Sequence, residues 1–156
     1  MYKLHTIVAL VVFLAIVAFG QQQHQDFSGT WKLNVAETQF GVMSAQKARV
    51  DVIKQTGDII DVVTKFTSDA GDETLTRRFK ANGEVVNHQG PRDIKSVGSW
   101  EGDSLVFTNT YRYQDQDVLA KTTWTLSPDH HRLFVNTHTI RPEVGPDQKL
   151  VFDRQN

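Results

Sequence analysis

The chain has 156 residues, with 17 Lys and Arg against 18 Asp and Glu and a formal net charge of −1. That balance excludes a strongly basic nucleic-acid binder, and no long run of like charge forms a tail. There is no cysteine, which excludes a disulfide scaffold, a thiol nucleophile and lipid attachment at an N-terminal Cys.

The first element is a leader. Met1–His5 carries Lys3, and Ile7–Phe19 is an unbroken apolar run of about 13 residues, short of the roughly 20 that a spanning helix needs. Ala18 and Gly20 put small residues where a signal peptidase reads, so residues 1–20 are expected to be a cleaved signal peptide. An uncleaved anchor is the alternative. Cleavage before Gln21 would leave about 136 residues with a net charge of about −2, secreted or periplasmic. Residues 21–26 then form a flexible polar spacer, and residues 27–156 one domain, large enough to bury about two thirds of its unfolded surface.

The domain opens on Phe27-Ser28-Gly29-Thr30-Trp31-Lys32-Leu33. Gly29 permits a tight entry, and Trp31 is large enough to plug one end of a small barrel if its indole N–H finds a partner. Val35–Gln46 has no clean helical stripe and reads as a short lid helix or an irregular loop. From Ala48 the pattern is β. Ala48–Gln55, Ile59–Phe66, Thr74–Lys80, Glu84–Asn87 and Asp93–Glu101 are expected strands, as are Ser104–Arg112, Asp117–Leu126, Arg132–Arg141 and Lys149–Arg154. Turn residues separate them: Gly57-Asp58, Asp69–Asp72, Gln89-Gly90-Pro91, Gly102-Asp103, Gln114–Gln116, Pro128-Asp129-His130 and Pro142–Asp147. Asn82-Gly83 is the strongest short hairpin signal of the chain. About ten short strands at regular spacing, with no convincing interior helix, predict an all-β fold. Consecutive hairpins favour an antiparallel up-and-down β-barrel of about 8–10 strands, since closure removes exposed edges.

These residues carry a resemblance. Gly29-Thr30-Trp31-Lys32-Leu33 resembles the opening strand of the calycins, meaning lipocalins and intracellular fatty-acid-binding proteins. Arg92-Asp93-Ile94-Lys95-Ser96-Val97, the turn Glu101-Gly102-Asp103 and Leu105-Val106 are similar to the middle of those barrels. Thr122-Thr123 and Arg132-Leu133 continue the likeness, and the whole is similar to small secreted lipocalin-like proteins of bacterial envelopes. The resemblance implies a carrier of a small hydrophobic or amphipathic molecule, with no cofactor. It also implies an Arg near the chain end packed over the motif Trp, a role for which Arg154 is the first candidate and Arg141 the second. The chain departs from the fatty-acid-binding pattern in three places. Leu126 stands at the late-strand Arg position, the last strand reads Leu150-Val151-Phe152 without the Arg-x-Tyr pair, and the segment after the first strand is shorter than a two-helix lid.

Leu105, Phe107, Asn109 and Tyr111 share one strand face, and Thr122 and Trp124 share another. Facing inward, they would line a cavity with an apolar body and a few polar tips. Arg77 shares a face with Leu75 and Phe79. If buried it needs a partner, which could be an acidic ligand or a protein carboxylate; otherwise it lies near the barrel mouth. The expected ligand wall is Arg77, Trp100, Phe107, Asn109, Tyr111, Thr122 and Trp124, with Gly29, Trp31 and Arg154 as the structural motif. His88, read as a loop residue, His130, His131 and His138 have no metal-ligand spacing. Neither a nucleophile elbow nor a glycine-rich phosphate loop is present. Three readings stay open: a ligand carrier or sensor, a filled barrel acting through an envelope protein partner, and, least favoured, a small cavity enzyme.

Overall fold

A computed structural model describes residues 24–42, 44–89, 93–142 and 146–156. The leader, residues 21–23 of the spacer, and parts of the Gln89–Pro91 and Pro142–Asp147 loops lie outside the described residues. Ten strands form: β1 (Gly29–Leu33), β2 (Ala48–Thr56), β3 (Ile59–Ser68), β4 (Gly71–Lys80), β5 (Val85–His88), β6 (Ile94–Glu101), β7 (Ser104–Tyr113), β8 (Gln116–Leu126), β9 (Arg132–Arg141) and β10 (Gln148–Gln155). All pairings are antiparallel, and the sheet order is β4-β3-β2-β1-β10-β9-β8-β7-β6-β5. The fold is therefore an all-β, up-and-down, nearly closed barrel. Among the described residues there is no helix.

Alternation explains which side chains enter. On β7, Leu105 and Phe107 are buried inward and Asn109 and Tyr111 follow on the same face; on β8, Val118, Ala120, Thr122 and Trp124 do the same. Cross-strand partners share a face, so Phe107 stands beside Thr122 and Gly98, and Asn109 beside Ser96. The described residues of the segment after β1 form no lid helix. They continue along β10, where Gln39 and Lys149 exchange backbone hydrogen bonds of 2.8 Å each and Val151 N donates to Thr38 Oγ1 at 3.1 Å.

The barrel fails to close at the position where the local sequence most suggests a hairpin. β4 and β5 flank Asn82-Gly83, yet they are the two edges of the sheet. Asn82 Oδ1 accepts from Glu84 N at 3.1 Å, and Gly83 N donates to Gly98 O at 2.8 Å. The turn after β4 is thus tied to β6, while β4 itself stays an edge strand. Gly98 makes this possible: a Cβ there would lie 2.3 Å from the Lys80 carbonyl oxygen and 2.7 Å from the Phe107 ring. Gly98→Ala is accordingly expected to cost about 2–3 kcal/mol through overpacking against backbone. A guanidinium denaturation midpoint that does not move would show that the β4–β6 approach relaxes freely.

One end of the barrel is filled. Phe27, Trp31 and Phe152 are fully buried there, with Leu33, Leu105, Leu133 and Trp124 in the same cluster. Trp31 Nε1 donates to Phe27 O at 2.9 Å, and the Arg154 guanidinium lies 4.4 Å from the Trp31 ring centroid. Gly29 makes room for that cation: a Cβ would meet Arg154 Nη1 at 3.1 Å, at a φ of +148° that L side chains rarely adopt. His24–Asp26, the last residues of the expected spacer, lie against this floor: His24 stacks on Trp100 at 4.3 Å, and Gln55 Nε2 donates to Gln25 O at 3.0 Å.

Candidate functional site

Above the floor the barrel is hollow. A cavity of about 430 Å³ lies inside it, within the range of small-ligand pockets, roughly 300–1,000 Å³. Six of the seven residues expected on a ligand wall line it: Arg77, Phe107, Asn109, Tyr111, Thr122 and Trp124. Trp100 does not. Its strand parity points it inward, but it stands at the plugged end, between His24 and Phe27, whose ring centroid is 6.0 Å away. It belongs to the floor, where its Nε1 is buried without a hydrogen-bond partner among the described residues.

The apolar base of the cavity is an aromatic cluster. Phe79 lies 4.7 Å from Phe107 and 6.0 Å from Trp124 between ring centroids, and Phe107 lies 5.4 Å from Trp124 in an edge-to-face arrangement. Leu75, Val62, Phe66, Ile94, Val135 and Leu150 extend the apolar lining, and exposed Ser44 brings the segment after β1 to its rim.

Two polar systems interrupt this lining. The first is cationic. On β2, Arg49 and Asp51 face inward two residues apart, and the guanidinium grips the carboxylate through Nε at 2.8 Å and Nη2 at 2.7 Å. Arg49 also lies 5.2 Å over the Phe152 ring. Both groups are therefore committed to each other. Arg77, inward on β4, has no hydrogen bond or ion pair among the described residues. Burial lowers its pKa from the ordinary arginine value, the neighbouring Arg49 charge lowers it further, and Asp51 only partly offsets them. At any working pH it stays charged, so the cavity holds one positive charge without a dedicated counter-ion.

The second is a hydrogen-bonded ladder crossing five strands. His88 Nε2 is 3.1 Å from Ser96 Oγ, and Ser96 Oγ donates to Asn109 Oδ1 at 2.6 Å. Asn109 Nδ2 donates to Thr122 Oγ1 at 3.1 Å, and Thr122 Oγ1 is 3.0 Å from Thr137 Oγ1. Because Ser96 gives its proton to Asn109, the His88 nitrogen facing it is the donor.

His88 corrects the sequence reading that put it in a loop: it ends β5, is 8% exposed and lies 4.7 Å from Phe79. Burial holds its pKa below the ordinary 6.5, and the Arg77 charge adds to this. The folded protein therefore resists a proton that the unfolded chain accepts near pH 6.5. Its stabilising contribution is complete above that pH and falls as pH drops through 6.5 towards the folded value. The carboxylates whose pKa is lowered act elsewhere. Asp61, held down by Arg78, Glu84, held down by Lys80, and Asp129, held down by the Ser127 hydroxyl, lose their contribution only as pH falls through their ordinary 3.8, 4.5 and 3.8. We expect the denaturation midpoint to be lower at pH 5.5 than at pH 8, and His88→Gln to flatten that difference. An unchanged slope in His88→Gln would locate the proton elsewhere.

Sequence reasoning missed Arg49, Asp51, His88, Ser96 and Gln46, all on the lining. Arg49 and Asp51 carried a readable signal: opposite charges at i and i+2 on a strand share a face.

No family model and no curated protein matches the sequence. Solved structures match the fold. Secretory abundant heat soluble protein 4 from Ramazzottius varieornatus is similar, with a TM-score of 0.60 and 14% identity, covering 83% of this chain and 94% of that one. A Schistosoma mansoni fatty acid binding protein in complex with arachidonic acid gives a TM-score of 0.57 and 14% identity, covering 83% and 96%. The zebrafish ileal bile acid-binding protein complexed with cholic acid gives 0.53 and 15%, covering 83% and 98%. At these identities the likeness is one of fold: the chain has the calycin-like ten-stranded barrel these proteins share.

Proposed function

We propose that the protein is a carrier or sensor that holds one small amphipathic acid inside the barrel and works outside the cytoplasm. The observation that carries this is Arg77, a charged side chain without a protein partner among the described residues, set in an apolar cavity of about 430 Å³. An acidic head would supply its missing counter-ion. The apolar body would gain about 25 cal/mol for each Å² removed from water. The bound fatty acid and bile acid of two structural neighbours are compatible ligand types. Met1–Gly20 is the basis for export.

The enzyme reading has one observation to weigh, the His88–Ser96 contact. It does not favour a serine nucleophile, because the Ser96 proton is directed to Asn109 and His88 donates where a base would accept. A filled barrel is disfavoured by the cavity itself.

The test is native mass spectrometry of the exported protein, purified without delipidation, followed by titration with dodecanoic acid. A bound mass released on denaturation, or saturable binding of dodecanoic acid, supports the carrier. A clean apo mass together with no acid binding overturns it.

A further inference from the structure

The ladder on β5–β9 has more donors than it uses. The His88 Nε2–H, the Ser96 hydroxyl, both Asn109 amide N–H bonds and the two Thr hydroxyls supply six protons. The four contacts of the ladder consume four of them. One Asn109 N–H and one Thr hydroxyl have no acceptor among the described residues. Asn109 and Thr122 both line the cavity. Their strand neighbours do not supply the acceptor. Ala120 stands opposite Asn109 and Phe107 opposite Thr122, and backbone carbonyls here are engaged in the sheet. Asp51, each of whose oxygens accepts from Arg49, makes no hydrogen bond to the ladder among the described residues. Among the described residues, the one unpartnered buried acceptor on the lining, Gln46 Oε1, belongs to the segment before β2, not to the ladder.

A donor excess on an apolar wall discriminates. A plain alkyl chain laid along it covers polar hydrogens and leaves them unpaired. An oxygen at the right depth pairs with them, and unpaired buried donors are what gives such sites their selectivity.

We propose that the ligand is an acid carrying a second oxygen acceptor along its apolar body, such as an oxo-, hydroxy- or epoxy-substituted long-chain acid, and that Asn109 and Thr122 select it. This rests on the carrier reading, with Arg77 taking the acid group and the ladder taking the second oxygen. A ladder serving only to tie five strands together would hold the fold and show no such preference.

The test compares the full-length exported protein's affinity for dodecanoic acid with that for keto-dodecanoic acids in which the ketone is moved one carbon at a time along the chain. The expected result is one or two adjacent positions binding about tenfold more tightly than dodecanoic acid, as one or two hydrogen bonds allow. Thr122→Val, close in shape, should bring that ratio to about one, whatever the shift in dodecanoic acid affinity itself, and Thr122→Ser should restore it. Thermal melts confirm that each variant is folded. A ratio near one at every ketone position in the wild type overturns the proposal, even if dodecanoic acid binds well and the carrier reading survives. An equal loss of both ligands in folded Thr122→Val also overturns it. Binding of neither acid class would remove the carrier reading and this inference together.

Discussion

Trp31→Ala should cost the protein about 3–5 kcal/mol, the range for removing a large buried aromatic. For a domain whose whole stability is of order 5–15 kcal/mol, that is enough to leave part of the population unfolded. Trp31 is 0% exposed and belongs to the buried cluster that forms the floor of the barrel. Its strand joins β10 to β2, with Trp31 paired to Arg154 on one side and Asp51 on the other. Its indole satisfies the Phe27 carbonyl, and its ring carries the Arg154 cation, which in turn donates to His130 O at 3.0 Å. The pieces separate by substitution. Trp31→Phe keeps most of the apolar area but orphans the Phe27 carbonyl, an expected loss of about 1–3 kcal/mol. Arg154→Met removes the cation–π contact, worth about 1 kcal/mol at a partly exposed site. Guanidinium denaturation followed by far-UV circular dichroism orders the three. A Trp31→Ala loss below about 1 kcal/mol would mean that the floor repacks around the hole and that Trp31 is not its keystone.

The strand count and the turns were legible because their signals are local: period-two alternation and turn dipeptides lie within a few residues of each other. The inward faces of β4, β7 and β8 were legible for the same reason. Three features needed information from across the barrel. Asn82-Gly83 has hairpin chemistry, but the strands it joins are held apart because Gly98, fifteen or so residues on, lets the Lys80 carbonyl approach β6. Trp100 has the parity of a wall residue, and parity does not give depth; only the tilt of β6 sets it beside Phe27 at the floor. On β2, residue type offers Val50 and Val52 as one face and Arg49 and Asp51 as the other. The charged pair is the one turned inward, with Asp51 4% exposed and Val52 46% exposed. A bidentate contact neutralises the pair on its own strand, so burying it costs less than burying either charge alone. That same contact removes Arg49 from contention as the ligand's counter-ion and leaves Arg77, two strands away, as the charge that is left over.

Arg77→Leu should therefore do two opposite things. Affinity for dodecanoic acid should fall by roughly thirtyfold or more, equivalent to about 2 kcal/mol, the loss expected when one member of a desolvated charge pair is removed. Affinity for dodecanol, which shares the chain and lacks the charge, should stay within about twofold. In the absence of ligand the variant should be more stable than the wild type, by about 1 kcal/mol. The substitution takes a desolvated cation out of the field of Arg49 and sets an apolar side chain between Leu75 and Phe79. Arg77→Lys keeps the charge without the planar fork and should fall between the two in acid affinity. The combination is diagnostic because the alternatives predict different pairs of signs. If Arg77 served the fold, for instance by completing the Arg49–Asp51 charge system, the leucine variant would lose stability, and acid and alcohol binding would decline together. If Arg77 reached bulk solvent on binding, acid and alcohol affinities would both stay as they were. Only a cation held ready for a ligand's charge gives weaker acid binding, unchanged alcohol binding and a more stable empty barrel.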